Sequence, residues 1–229
     1  MSQAKFFVVY DGATDDGDQA LAELFCNQLG RAGFDAEVKD IRYIKEGTPG
    51  FHFLFASSVE DHFNLCWLAI GLELHSSALN EREILALKHY ALDKLEATDT
   101  DDLGSDVYVV FNPDYSDSPD LLPMLRSIAS YNFVQTKDGL VADSWSYGPL
   151  PANTELYSTS LREVRVLMEK IQCTKPLVIG VQVNNDGAPS VVEVIPNFGL
   201  SEHSLVPTAL ALNGVNLSNF LKRAYDIPA

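Results

Sequence analysis

Cysteine is scarce in this sequence. Cys26, Cys66 and Cys173 are the only three in 229 residues, and none forms a CxxC pair. An odd, scattered set argues against a disulfide framework and fits reduced, buried thiols. Long apolar runs are also missing: the stretches 51–55 and 65–72 are far shorter than a membrane span. The first residues lack the basic, apolar and small-residue order of a secretory leader, so a cytoplasmic location is expected. Basic residues are few, with 16 Lys and Arg against 32 Asp and Glu and a net charge of −16. That balance opposes nonspecific binding to nucleic acid or anionic lipid, so neither a nucleic-acid nor a membrane partner is expected. It is compatible with a basic protein partner, but solubility is its ordinary meaning.

What remains is ordinary globular material, 46% hydrophobic and 21% charged. It is enough for one large domain or two small ones. Residues 6–10 read as a buried strand stopped by Asp11-Gly12. Ala20, Leu21, Leu24, Phe25 and Leu29 then recur at helical spacing, and 36–41 suits a second strand. This βαβ unit predicts a parallel sheet. Another strand is expected at 51–55, with helices at 61–72 and 81–95. The acidic stretch 98–102 is the expected boundary. Beyond it, 107–111 reads as a strand, 121–128 as a helix with Pro123 in its first turn, and 146–153 as a Pro/Gly loop. Hairpins are expected around Lys137-Asp138-Gly139 and around 184–187. A helix is expected over 161–171, and two short helices, 205–212 and 217–225, follow the second hairpin.

The most specific stretch runs from 191 to 225. A strand bearing Glu193 leads into Asn197, Phe198, Gly199, Leu200, Ser201, Glu202, His203, Ser204, Leu205, Val206 and Pro207, and Gly214-Val215-Asn216 opens a further helix. This run resembles the C-terminal end of D-alanine–D-alanine ligases of the ATP-grasp superfamily. There a Glu-x-Asn strand leads through a Pro-Gly turn to a His-Ser-Leu-x-Pro motif. Weaker likeness extends upstream through Trp145 to Pro149, Ser77-Ala78-Leu79 and the first βαβ unit. The resemblance implies an α/β chain built as a pre-ATP-grasp βαβ domain, 1–97, followed by a reduced ATP-grasp-like α+β domain, 103–229.

Carried over residue by residue, the resemblance keeps part of a substrate side. Ser204 and Leu205 match the pair that binds the second D-alanine's carboxylate, where a helix N-terminus offers N–H groups and a positive dipole end. Asp18 falls on the glutamate that meets the first D-alanine's ammonium. Glu60-Asp61 keeps the family's Glu-Asp pair, while the preceding histidine position falls around Phe55, Ala56 and Ser57. The nucleotide side is depleted. The phosphate loop falls on Asp114, Tyr115, Ser116, Asp117 and Ser118, without glycine and with two carboxylates that repel phosphate. The two ATP lysines fall on Asn112 and near Glu83, and the nucleotide-contacting Glu-Lys pair on Asp143 and Ser144. Of the magnesium-holding set Glu193 survives, whereas the family's arginine, aspartate and asparagine fall on Val178, Gly180 and Ile195. The loop expected after Pro149 to cover the active site is missing.

Each candidate has a plainer reading. Glu193 also suits a solvated strand, Ser204 an ordinary N-cap, and His203 a capping or packing role. Asp15, Asp16 and Asp18 suit the first turn of a helix. His52, His62, His75 and His89 share no metal-ligand spacing. Gly12 and Gly17 lack the GxGxxG pattern of a dinucleotide site. Lys137, Lys170 and Lys175 have no assigned role. Three functions follow. One is a pseudoenzyme without a nucleotide cofactor, keeping a pocket for a small amino acid, dipeptide or partner near Ser204. Another is a working carboxylate–amine ligase using ATP and magnesium. The third is an acidic interaction module, with a homodimer surface inherited from the fold.

Overall fold

A computed structural model describes residues 5–13, 16–92, 107–112, 120–128, 133–136, 139–142, 145–184, 186–200 and 204–227. The expected acidic boundary, the phosphate-loop positions 114–118, Asp15, Lys137, Asp143, Ser144 and His203 lie outside them.

The first sheet is parallel and three-stranded, in the order β2-β1-β3, from β1 (Phe6–Tyr10), β2 (Ala36–Asp40) and β3 (Phe51–Leu54). Val8 stands beside both Val38 and Phe53. The helix α1 (Asp16–Arg31) is the crossover between β1 and β2, and buries Ala22, Phe25 and Leu29 against them. Entry into β3 needs a glycine. Gly50 has φ +122, and a Cβ on it would lie 2.8 Å from both Lys5 O and Phe7 Cε2.

Two helices follow, each with a legible start. At α2 (Val59–Gly71), the Ser58 hydroxyl accepts from Asp61 N at 3.0 Å. At α3 (Glu81–Leu92), Glu83 N donates to Asn80 Oδ1 and Asn80 N donates to Glu83 Oε2, a reciprocal capping box.

The second sheet is antiparallel and five-stranded. Its order is β10-β9-β4-β5-β8, from β4 (Val107–Asn112), β5 (Asp120–Ile128), β8 (Trp145–Pro149), β9 (Leu177–Val183) and β10 (Pro189–Ile195). The strands β6 (Phe133–Thr136) and β7 (Gly139–Ala142) form the hairpin expected at Lys137-Asp138-Gly139. Two expectations are overturned. Residues 121–128 form β5 rather than a helix, and 146–149, the first part of the expected loop 146–153, belong to β8. The physical reason is pairing. Leu121 to Leu125 lie opposite Phe111 to Val107, and Leu125 to Ile128 lie opposite Gly148 to Trp145. Pro123 is tolerated because it lies one residue beyond the last β8 pair, Met124 with Pro149, where β5 is paired on one side.

Strand alternation divides this sheet between two cores. Val107, Val109, Phe111, Leu177 and Ile179 face α4 (Glu155–Ile171), whose Leu161, Val164, Leu167, Met168 and Ile171 form one apolar stripe, together with Leu65, Ile84 and Leu87. Tyr108, Val110, Met124 and Val178 face α5 (Leu205–Leu212) and α6 (Leu217–Ala224), with Val8, Phe25 and Phe53 from the first sheet. Each core therefore contains side chains from both sheets.

Candidate functional site

The four positions to which the ligase likeness assigns metal chemistry are two alternate cross-strand pairs, with Val194–Ile179 between them. Glu193 stands opposite Gly180, and Ile195 opposite Val178, on β10 and β9. The register of β10 on β9 shifts just before Glu193, between Val191 and Glu193, and of the four only Glu193 contributes an oxygen-bearing side chain. Val178 is fully buried, and Ile195 packs against the core beneath α5. The Tyr108 hydroxyl donates to Glu193 Oε2 at 3.5 Å, a long bond. The Tyr108 ring meets Tyr147 edge to face at 5.8 Å, and Arg126 stands opposite Tyr147 on β5. Burial pushes the Tyr147 hydroxyl's pKa up, Arg126 pulls it down, and Glu193 pushes it up again. Magnesium requires several hard oxygens around it. One carboxylate beside glycine, valine and isoleucine does not fit that ion. No group of three or more His, Cys, Asp or Glu residues suited to a metal occurs among the described residues.

The substrate-side candidates occupy two places. Asp18 lies in the first turn of α1 and is almost fully buried, at 1% exposure. Ser204 is the N-cap residue of α5, and Leu205 is its first helical residue. The Ser204 hydroxyl makes no capping bond to that helix, which does not favour the plain capping role. It instead approaches Gly199: a Cβ on that glycine would come within 3.0 Å of Ser204 Oγ. Glu193 and Ser204 thus flank one loop. That loop reaches the first sheet, where Asn197 Nδ2 donates to Ala56 O at 3.4 Å, just past β3. Asp18 stands on a separate element. Asn112, at an ATP-lysine position, is fully buried with neither amide atom partnered. Glu83, near the other, is a structural clamp: its Oε1 accepts from Thr174 N at 2.5 Å and from Thr174 Oγ1 at 2.7 Å.

Two features here have no sequence signal of their own. His62 and Lys175 are far apart in the chain, yet they line one cavity with Asn197. The contact between Tyr108 and Glu193 spans 85 residues. Of these residues, Glu193 and Asn197 lie inside the most specific stretch of the sequence.

No family model matches the sequence, and no curated protein matches it significantly. Solved structures do match in shape. The D-alanine–D-alanine ligase from Bacillus anthracis complexed with ATP superposes with a TM-score of 0.67 at 12% identity, covering 99% of this chain and 97% of that one. D-alanyl-alanine synthetase A from Vibrio cholerae gives 0.65 at 10% identity, over 99% and 98%. The VanG D-Ala:D-Ser ligase from Enterococcus faecalis gives 0.62 at 11% identity, over 99% of both. No helix among the described residues is long and apolar enough to cross a membrane. At this level of identity the likeness establishes architecture: a mixed α/β chain, with one parallel and one antiparallel sheet, that has the fold of the D-alanine–D-alanine ligases and their ATP-grasp relatives.

Proposed function

We propose that this chain is a catalytically degenerate member of the D-alanine–D-alanine ligase-like group. In this reading it uses no nucleotide and holds a small amino acid or dipeptide at the loop ahead of α5. The observation that carries this reading is the pair of cross-strand neighbours Glu193–Gly180 and Ile195–Val178. Phosphoryl transfer needs cations and metal ions around the migrating phosphoryl group. Here the corresponding face supplies one carboxylate and core-packed aliphatic side chains. The resemblance assigns a ligand's carboxylate to Ser204 and Leu205 at the start of α5, and its ammonium group to Asp18 in the first turn of α1.

A second reading, an active ATP- and magnesium-dependent carboxylate–amine ligase, is favoured by one specific observation. The fold likeness runs along nearly the whole chain, and one of the matched ligases is complexed with ATP. A thermal-shift titration separates the two, because a ligand that binds the native state raises the melting temperature. Under the degenerate reading, magnesium-ATP leaves the melting temperature unchanged and D-alanyl-D-alanine raises it. A saturable rise with magnesium-ATP would overturn that reading in favour of the ligase.

A further inference from the structure

The helix α2 is apolar on two sides. Its inner side buries His62, Phe63, Leu65, Cys66 and Ala69. At about 3.6 residues per turn, its outer side carries Glu60, Asn64, Trp67, Leu68, Ile70 and Gly71, all exposed. Trp67 is 39%, Leu68 44% and Ile70 40% exposed. Tyr43, 82% exposed, ends the short turn Ile41–Tyr43, which packs beside α2. A surface helix ordinarily shows solvent a polar face, and one that is apolar all round is ordinarily buried. Among the described residues nothing buries this side of α2. Large apolar side chains gathered in one exposed patch mark an interaction surface.

The charges in and beside the patch are mainly acidic. The helix contributes Glu60 and Asp61 and no Lys or Arg. At its C-terminal end Gly47 N donates to Leu72 O, which brings the turn carrying Lys45 and Glu46 alongside, next to Glu73. Arg42, beside Tyr43, is already tied to Asp40. Lys45 is thus set against four carboxylates: Glu46, Glu60, Asp61 and Glu73. A second copy of the chain would set one acidic rim, and one net charge of −16, against another. An anionic bilayer is opposed on the same ground.

We propose that the outer side of α2 docks a basic amphipathic helix of another protein. The apolar stripe of that helix packs on Trp67, Leu68 and Ile70, and its flanking Lys or Arg side chains meet Glu60, Asp61 and Glu73. Trp67 is the anchor, because a large rigid aromatic contributes much contact area at low entropic cost. Asn64 and Gly71 lie about one turn to either side of the Trp67–Leu68 pair. Both are small, and they leave hollows for the partner's side chains, as the packing of ridges into grooves requires. The surface uses neither Ser204 nor Glu193, so it stands whether or not the degenerate-ligase reading holds.

The test is a titration of the full chain into three fluorescently labelled synthetic peptides, read by anisotropy. One is an amphipathic Leu/Lys helix, the second has the same pattern in Leu and Glu, and the third keeps the lysines but replaces Leu with Ser. The Leu/Lys peptide should saturate, and the other two should bind at least about 10-fold more weakly. Trp67→Ser with Leu68→Ser should weaken the Leu/Lys peptide by about 10-fold or more, and Glu60→Lys by about 5-fold. Leu24→Ser, which removes an exposed leucine from α1, should leave its affinity unchanged. Equal binding of the Ser/Lys peptide, or an undiminished affinity in the Trp67/Leu68 variant, would overturn the proposal. So would self-association of the chain in sedimentation that the same variant abolishes, since the face would then belong to a second copy. If the double variant does not fold, the ranking of the three peptides together with Glu60→Lys and Leu24→Ser decides.

Discussion

Glu83 and Thr174 are 91 residues apart, yet one carboxylate oxygen of Glu83 accepts from both the backbone N–H and the hydroxyl of Thr174. The other oxygen completes the capping box with Asn80. One buried side chain thereby starts α3 and fastens the connection that carries Lys175. Glu83→Ala leaves the backbone donors of Thr174 and Asn80 without their acceptor and should cost about 3 kcal/mol. For a chain of this size that corresponds to roughly 6–12 °C in melting temperature. Glu83→Gln should cost less. A melting curve for Glu83→Ala that overlays the parent's would refute the clamp.

Acid should weaken the fold through His62. Burial pushes the His62 pKa down to about 4 from an ordinary 6.5. The unfolded chain therefore binds the proton more readily than the folded one, and stability falls as pH drops from 6.5 towards 4. Between pH 7.5 and 5 the loss from this residue should be about 2 kcal/mol. Burial lowers the His52 pKa too, which adds in the same direction. Urea denaturation at the two pH values measures the loss, and His62→Leu should reduce it. An undiminished loss in that variant would place the acid sensitivity elsewhere.

The β9–β10 face can be tested by restoring a charge to it. Val178 occupies the position of the ligases' arginine in the sequence likeness and is fully buried. Val178→Arg places an unpaired cation among apolar side chains and should destabilise by about 4 kcal/mol or more. Circular dichroism on heating reads this directly. If the variant melts within a few degrees of the parent, the face is more open than its packing indicates.

Gly50→Ala should cost about 2 kcal/mol. The position has φ +122, and the added methyl would press on Lys5 O and Phe7 Cε2. Equilibrium unfolding in urea measures the change. A neutral outcome would mean that β1 and β3 shift apart at little cost.

Much of the architecture is legible because its signals are local. The apolar run at 6–10, the stripe along α4 and the turn residues between β9 and β10 each identify their element without help from elsewhere. The β5 segment is not legible, since Leu121, Leu122, Met124 and Leu125 suit a helix as well as a strand and Pro123 weighs against a strand. Its conformation is decided by pairing with Val107 to Phe111 on β4, the preceding strand, which a reading of the segment alone does not contain. The site divides the same way. A motif marks Ser204, Leu205 and Asn197, whereas nothing near His62 or Lys175 in sequence says that the two share a cavity.

The interleaving of the two cores has a consequence for how the chain can be divided. Residues before 93 and residues after 106 each contribute side chains to both cores. Expressed separately, each piece would expose two sticky surfaces and would be prone to aggregate. Produced together, the pieces should recognise one another and reassemble without a peptide bond between them. The fold therefore lends itself to a split reporter, in which the recovery of one cooperative melting transition signals that the two halves have met.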